Sequence, residues 1–428
     1  MHRKWFLISL LLAIGLSFGG IQAASMSPAK SLQSALLGDK IVISALSNRQ
    51  KAPAVAFNSK HGEYLVVWHN LWSNPSAREI WASRVSSQGT VIADFKVGTH
   101  LSPNDNASPA VAYDPRRDRY LVVWSYDYNG DGSDWDISGR FIPWDGPDSN
   151  LAEFTISNFQ VTELDAQVVY AYLQDEFLVA WDYVDTANFQ TAIYARRVFA
   201  NGSGFPGFAF EVASSPTQPR VDPALAYNNS QNEYIVTYDN GFDIFGTLID
   251  SDGHKLGSGE FPIAGWPDAE TLPAVASCPG SNQYLVLWQS FTTNGDYDIF
   301  ARFLSADGSA GAVLTVHNEF FDENYPHVTC LENNHLYLAA WEQRNGFGVT
   351  APNGIWARTI DPGVAMQPDF EITPSGVFVE QSPSKGVMAL DNGLTVWERD
   401  REGTTFSDIH GRLFWPYGAF LPIIMEKP

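Results

Sequence analysis

Pro273-Ala-Val-Ala276, Ser277-Cys-Pro-Gly-Ser-Asn-Gln283, Tyr284-Leu-Val-Leu-Trp288, then a polar turn, Asp298-Ile-Phe-Ala-Arg-Phe303 and Ala306-Asp-Gly308: this stretch decides the fold. Three apolar runs, each too short for a helix and bounded by Gly, Asn, Asp and Ser, predict three antiparallel strands joined by turns. A weaker fourth strand is expected at Ala312 to Val316. The unit recurs seven times. Its anchor is the aromatic ending the second strand, Trp68, Trp124, Trp181, Tyr238, Trp288, Trp341 and Trp397, at spacings of 50 to 57 residues, the period of a four-stranded propeller blade. The fold class expected is therefore all-β, a seven-bladed β-propeller of four-stranded antiparallel blades.

The parts of the unit are consistent with that reading. Pro53, Pro109, Pro223, Pro273, Pro326 and Pro383 open the first strands, with Ala166 in the third unit. Proline suits a strand's first residue, whose amide need not join the ladder. Second strands such as Tyr64 to Trp68 are almost continuously apolar, as expected of strands covered on both faces. Third strands carry Ile and then usually Arg, as in Ile137 with Arg140 and Ile299 with Arg302, and Asp136, Asp298 and Asp408 precede three of them. An Asp and an Arg four apart share a face of a strand, and because they recur with the repeat they read as structural. Fourth strands (Phe95 to Val97, Phe154 to Ile156, Phe210 to Val212, Phe261 to Ile263, Phe370 to Ile372) follow Gly-containing hairpins. Similar segments at Ile41 to Ser44 and Phe420 to Ile424 compete to complete the seventh blade.

With Pro109 to Asp145 and Pro273 to Gly308 as its best examples, the unit resembles the TolB-type, WD40-like propeller repeat. That resemblance covers nearly the whole mature chain and implies a propeller without fixing an activity. The Asp-Gly turns are also similar to sialidase Asp-boxes, but the Thr-Trp of that motif is missing.

Residues 1–24, with Arg3 and Lys4 before an apolar run and small residues at Ala23 and Ala24, read as a signal peptide; 25–40 is expected to be a linker and 41–424 the propeller. A secreted or periplasmic protein is expected. Losing Arg3 and Lys4 moves the formal charge from −22 to −24, a balance that argues against nucleic acid and anionic membrane as partners. No second apolar stretch is long enough to insert in a membrane, and a monomer is expected. Cys278 and Cys330 end first strands of adjacent units with a one-residue offset; export permits a disulfide, while the offset flips side-chain direction, so bridge and free thiols both stay open.

Long loops join second to third strands on the same side as the links between blades, and that face is the expected functional one. Three constellations there carry chemistry. In the loop Asp127, Asn129, Asp131, Asp134, Asp136, oxygen ligands at alternate positions are the pattern by which a short loop wraps Ca²⁺, although the closing Glu of an EF-hand is lacking; a plain turn is the competing reading. A polar residue stands near each blade's opening: Gln50, Asn106, Glu163, Arg220, Glu270, Glu323 and Glu380. At the channel mouth such a ring would hold a cation or raise its members' pKa for acid/base work, or else form a belt bonded to neighbouring backbone. His327 lies near the axis beside Pro326. Trp72, Trp135, Trp144, Trp266, Phe320, Phe321 and Phe347 are loop aromatics suited to a sugar or protein surface. With no paired Ser and His, no metal-spaced His cluster and no phosphate loop, the expectation is a non-catalytic binding or scaffold propeller for a glycan or protein ligand. The alternative is a carbohydrate-active enzyme using mouth carboxylates.

Overall fold

The computed structural model describes residues 37–71, 78–98, 105–319, 321–331, 336–344, 354–363, 366–373, 388–391, 393–400 and 406–414. Every regular element among them is a strand. Five separate four-stranded sheets form blades 2 to 6, each running in sequence order from the inner strand to the outer one. Blade 2, for example, is Asp105–Asp114, Arg119–Asp127, Trp135–Pro143 and Phe154–Ser157. An eight-stranded sheet joins blade 1 to blade 7. The contest for the last strand is settled there: N-terminal Leu37–Ser44 pairs antiparallel with Ser407–Phe414, Lys40 opposite Arg412. That strand begins ahead of the expected start at residue 41. The rival segment, Phe420 to Ile424, lies outside the described residues.

The apolar residues collect into seven cores, each made by two successive blades. One of them unites Ile43, Val396 and Ile409 of blade 7 with Val66 and Trp68 of blade 1, which closes the ring. The anchor aromatics are fully buried in these cores against the preceding blade. Truncating one to Ala would cost roughly 3–5 kcal/mol.

The recurrent arginines are structural, but not through the aspartates four residues earlier. Arg140 donates to the Val97 carbonyl at 2.8 Å and Arg196 to the Ile156 carbonyl at 2.6 Å. Arg302, Arg358 and Arg412 reach Ile263, Val316 and Ile372 in the same way. Each guanidinium thus ties its blade to the outer strand of the blade before. Cys278 and Cys330 form a disulfide between blades 5 and 6, with Cα atoms 5.1 Å apart. The one-residue offset does not forbid it because Cys278 lies just past the strand Ala269–Ser277, where the pleat no longer dictates side-chain direction.

Candidate functional site

The first strands of blades 1 to 6 enter the channel through the same distortion. The ladder to the second strand shifts between Lys51 and Ala54, Ala107 and Ala110, Leu164 and Gln167, Val221 and Ala224, Thr271 and Ala274, and Asn324 and His327. At each bulge one residue takes a left-handed backbone: Ala52, Ser108, Asp165, Asp222, Leu272 and Tyr325, with φ from 48° to 65°. The proline that follows in all but the third blade withholds a ladder donor, which a bulge tolerates.

The amide at the bulge is turned out of its own ladder and is taken by the preceding blade. Ala52 N donates to Glu398 (2.7 Å), Asp222 N to Asp182 (3.0 Å), Leu272 N to Asp239 (2.9 Å), Tyr325 N to Gln289 (3.0 Å) and, more weakly, Ser108 N to His69 Nδ1 (3.4 Å). The acceptor is always the residue just after the anchor aromatic. Sequence reasoning missed this inner ring, although a signal was present: His69, Ser125, Asp182, Asp239, Gln289, Glu342 and Glu398 are all polar, directly behind apolar runs. Burial pushes Asp239 up to about 6 against two amide donors, Leu272 and Gly241. Burial also raises Glu398, opposed chiefly by Lys51, whose Nζ lies 3.1 Å away.

The bulges wall a cavity of about 260 Å³ at the long-loop end of the channel. Asp165 and Asp222, on adjacent blades, are the carboxylates among its described residues, and His327 and Tyr325 join the wall. Burial lowers His327 to about 4, so the imidazole stands there neutral at neutral pH. A collar of Val55, Val111, Val168, Leu225, Val275 and Val328 forms the floor.

The expected carboxylate ring at the mouth requires correction. Glu163, Glu270 and Glu323 are fully buried and stand in the junctions between blades, away from the chamber wall; Glu380 lies outside the described residues. Ser157 Oγ (2.6 Å) and Phe159 N (3.1 Å) donate to Glu163, and Trp266 N (3.1 Å) donates to Glu270, which is the belt the sequence offered as the other reading. The bulge explains the outcome. It breaks the alternation that would have kept the ring residues and the chamber-lining residues on one face. Burial raises Glu163 to about 8, Glu270 to about 7 and Glu323 to about 9, with Asp136, Asp243 and Asp298 of the preceding blades adding repulsion in turn. Asp298 itself rises to about 6 and Asp136 to about 6, again mainly through burial.

Arg220 breaks the belt for a local reason. In blade 2 the residue at this position, Asn106, accepts from the indole N–H of Trp124 at 2.8 Å. Blade 4 has Tyr238 as its anchor and no indole. Arg220 instead makes a two-pronged pair with Glu260 (2.6 and 2.8 Å), which also accepts from Tyr238 Oη (3.1 Å), and Thr247 bonds the same hydroxyl (2.7 Å). Arg220 is a compensated exchange inside one blade, not a ligand group.

The Asp127 to Asp136 loop is closed on itself. Asp127 accepts from Gly130 N (2.9 Å) and Gly132 N (2.8 Å), and Asp131 accepts from Ser133 N (2.9 Å) and Ser133 Oγ (2.6 Å). Among the described residues no group of three His, Cys, Asp or Glu converges on a metal. These bonds are those of the plain turn that is the competing reading of the loop. Of the loop aromatics, Trp144 belongs to the short-turn face, stacked on His61 at 3.7 Å. Trp266 stays on the long-loop side, edge-on to Phe300 at 5.0 Å. Trp72, Phe320 and Phe347 lie outside the described residues.

No family model matches the chain, and no curated protein matches it. Among solved structures, a Hadza microbial sialidase overlays with a TM-score of 0.51 at 12% identity, covering 69% of this chain and 63% of the sialidase. The chain thus spans less than two thirds of that protein's length. An α-L-arabinofuranosidase from Fusarium graminearum gives 0.48 at 13% identity (76% of this chain, 98% of that one). The β-propeller domain of Myceliophteria thermophila Swd1 gives 0.49 at 11% (87% and 99%). At these identities the likeness shows the shared propeller fold. The sialidase overlay is the finding that stands against the expectation of a non-catalytic scaffold, which is corrected on that account.

Proposed function

We propose that the chain is a glycoside hydrolase acting at the long-loop mouth, with Asp165 and Asp222 as its reacting carboxylates. The observation that carries this is a departure from the repeat. The left-handed bulge recurs in six described blades and belongs to the fold, whereas its side chain is Ala, Ser, Leu or Tyr in four of them and Asp in two neighbours. Both aspartates face the chamber. Hydrolysis of a glycosidic bond takes one carboxyl to protonate the leaving oxygen and one carboxylate to attack or to activate water. Asp182, bonded to the Asp222 amide, fixes the backbone that carries one of them. A chamber of about 260 Å³ is a little smaller than the usual ligand pocket and is bounded by the aliphatic collar, so it admits the end of a chain. The sialidase and arabinofuranosidase names supply the first substrates to try. TolB-type ancestry of the repeat and export behind residues 1–24 belong to the same proposal.

The test is a panel of chromogenic glycosides, sialosides and arabinofuranosides included, followed by a tetrasaccharide of any hit. Release of single terminal units is expected, and Asp165→Asn and Asp222→Asn should each lower kcat by about 10²-fold or more with unchanged melting. Hydrolysis that survives both substitutions would overturn the assignment.

A further inference from the structure

We infer that the short-turn end of the channel is a second ligand site, built for an uncharged saccharide and separate from the long-loop mouth. The proposal stands on its own lining and not on the hydrolase reading. A cavity of about 660 Å³ opens at this end, walled on one side by Phe57, Tyr113, Tyr170 and Tyr227, the same position of the first strand in blades 1 to 4. At that position blades 5 and 6 carry Ser277 and Cys330, so the opposite wall is small and leaves room beside the rings.

The aromatic wall is set before any ligand arrives. Tyr113 Oη donates to Asp118 (2.7 Å), Tyr170 Oη to Asp175 (3.0 Å) and Tyr227 Oη to Asn232 (2.6 Å). Each ring also leans on the second-strand aromatic of its blade, with centroids 5.1, 5.0 and 5.2 Å apart. Rings held at both edge and face lose little freedom on binding. Tyr172 extends the wall to the rim, 51% exposed, with the Arg116 guanidinium 4.6 Å from its ring centre.

The chemistry of the lining selects the ligand. Among the described residues that line it none is charged; their polar groups are the hydroxyls of Ser59, Ser277 and Thr329, the amide of Asn229 and the tyrosines themselves. Apart from Arg116 against Tyr172 at the rim, a charged ligand would find no counter-charge among the described lining residues, and an aliphatic one would use only the rings. A neutral sugar offers an apolar C–H face to the rings and hydroxyls to the rim. The collar residues Val55, Val111, Val168, Leu225, Val275 and Val328 line both cavities, so the two ends meet at one aliphatic ring, and Asp165 and Asp222 line the long-loop cavity but not this one.

The experiment is calorimetric titration of the mature chain with cellotriose, maltotriose and xylotriose, beside trigalacturonate as the charged probe and octanol as the aliphatic one. At least one neutral trisaccharide should bind, with trigalacturonate and octanol at least tenfold weaker. Tyr172→Ala and Asn229→Ala should each weaken that binding about tenfold, and the Asp165→Asn/Asp222→Asn double variant should leave it unchanged. Because Tyr172 is half-exposed, its loss spares the fold, and Asn229→Ala gives a second reading. Binding of trigalacturonate or octanol in preference to the neutral sugars, loss of binding in the double aspartate variant, indifference to both rim substitutions, or no binding by any trisaccharide would each overturn the inference.

Discussion

Replacing Glu163 with Gln should make the protein more stable at high pH and leave it unchanged at low pH. In the folded chain burial holds the Glu163 carboxyl at about 8 against an ordinary 4.5, so it is neutral at pH 7, whereas in the unfolded chain it is ionised above 4.5. The folded state therefore binds the extra proton between those values, and stability falls as pH rises through that window. At 1.36 kcal/mol per pH unit, less the rounding at each end, the loss between pH 5 and pH 8 is on the order of 3 kcal/mol. Glutamine mimics the neutral acid: its carbonyl oxygen can accept from Phe159 N, while its NH2, in place of the other oxygen, can donate to the rotatable Ser157 hydroxyl. For a chain of this length such a difference is roughly 3–5 °C in melting temperature. Thermal melts of Glu163→Gln and wild type at pH 5 and pH 8 read it directly: near coincidence at pH 5, the variant higher at pH 8. A variant that is destabilised more at pH 8 than at pH 5 would refute the reasoning, because the carboxylate would then be the form that the junction favours.

Cys278→Ser opens the link between blades 5 and 6, whose 52-residue separation corresponds to about 4 kcal/mol of chain-entropy stabilisation; a urea midpoint equal to wild type under non-reducing conditions would contradict it. Arg220→Ala leaves Glu260 without its cation and should cost about 2 kcal/mol, while Glu260→Gln, which keeps an acceptor, should cost less; the reverse order by denaturant titration would remove the compensation argument. At the Asp127 loop, where the carboxylates already take the amides of Gly130 and Gly132 as in a plain turn, added calcium is expected to leave the melting temperature unchanged. A rise abolished by Asp131→Ala would restore the calcium reading.

The architecture was legible because it rests on repetition: seven anchors and their spacing fix the blades before any contact is known. The closing strand was not, since Ile41 to Ser44 and Phe420 to Ile424 carry the same pattern and only pairing distinguishes them. The site was half legible. Carboxylates were sought at the channel mouth, but the position chosen held Glu163, Glu270 and Glu323, which the bulge buries between blades. The residues that reach the chamber, Asp165 and Asp222, sit next to the proline position itself, where a strand read as regular gives no hint of a left-handed backbone. Arg220 looked like a functional departure until Tyr238, Thr247 and Glu260 showed the exchange that accompanies it. A departure in one blade carries function only when no neighbour changes to compensate for it.

The central claim is that the reacting carboxylates belong to the chamber wall and not to the buried belt, and one side-by-side measurement tests it: kcat/KM of wild type, Asp222→Asn and Glu163→Gln on the best glycoside found. The account predicts a loss of about 10²-fold or more in Asp222→Asn and a value within about twofold of wild type in Glu163→Gln. Full activity in Asp222→Asn with loss in Glu163→Gln would contradict it.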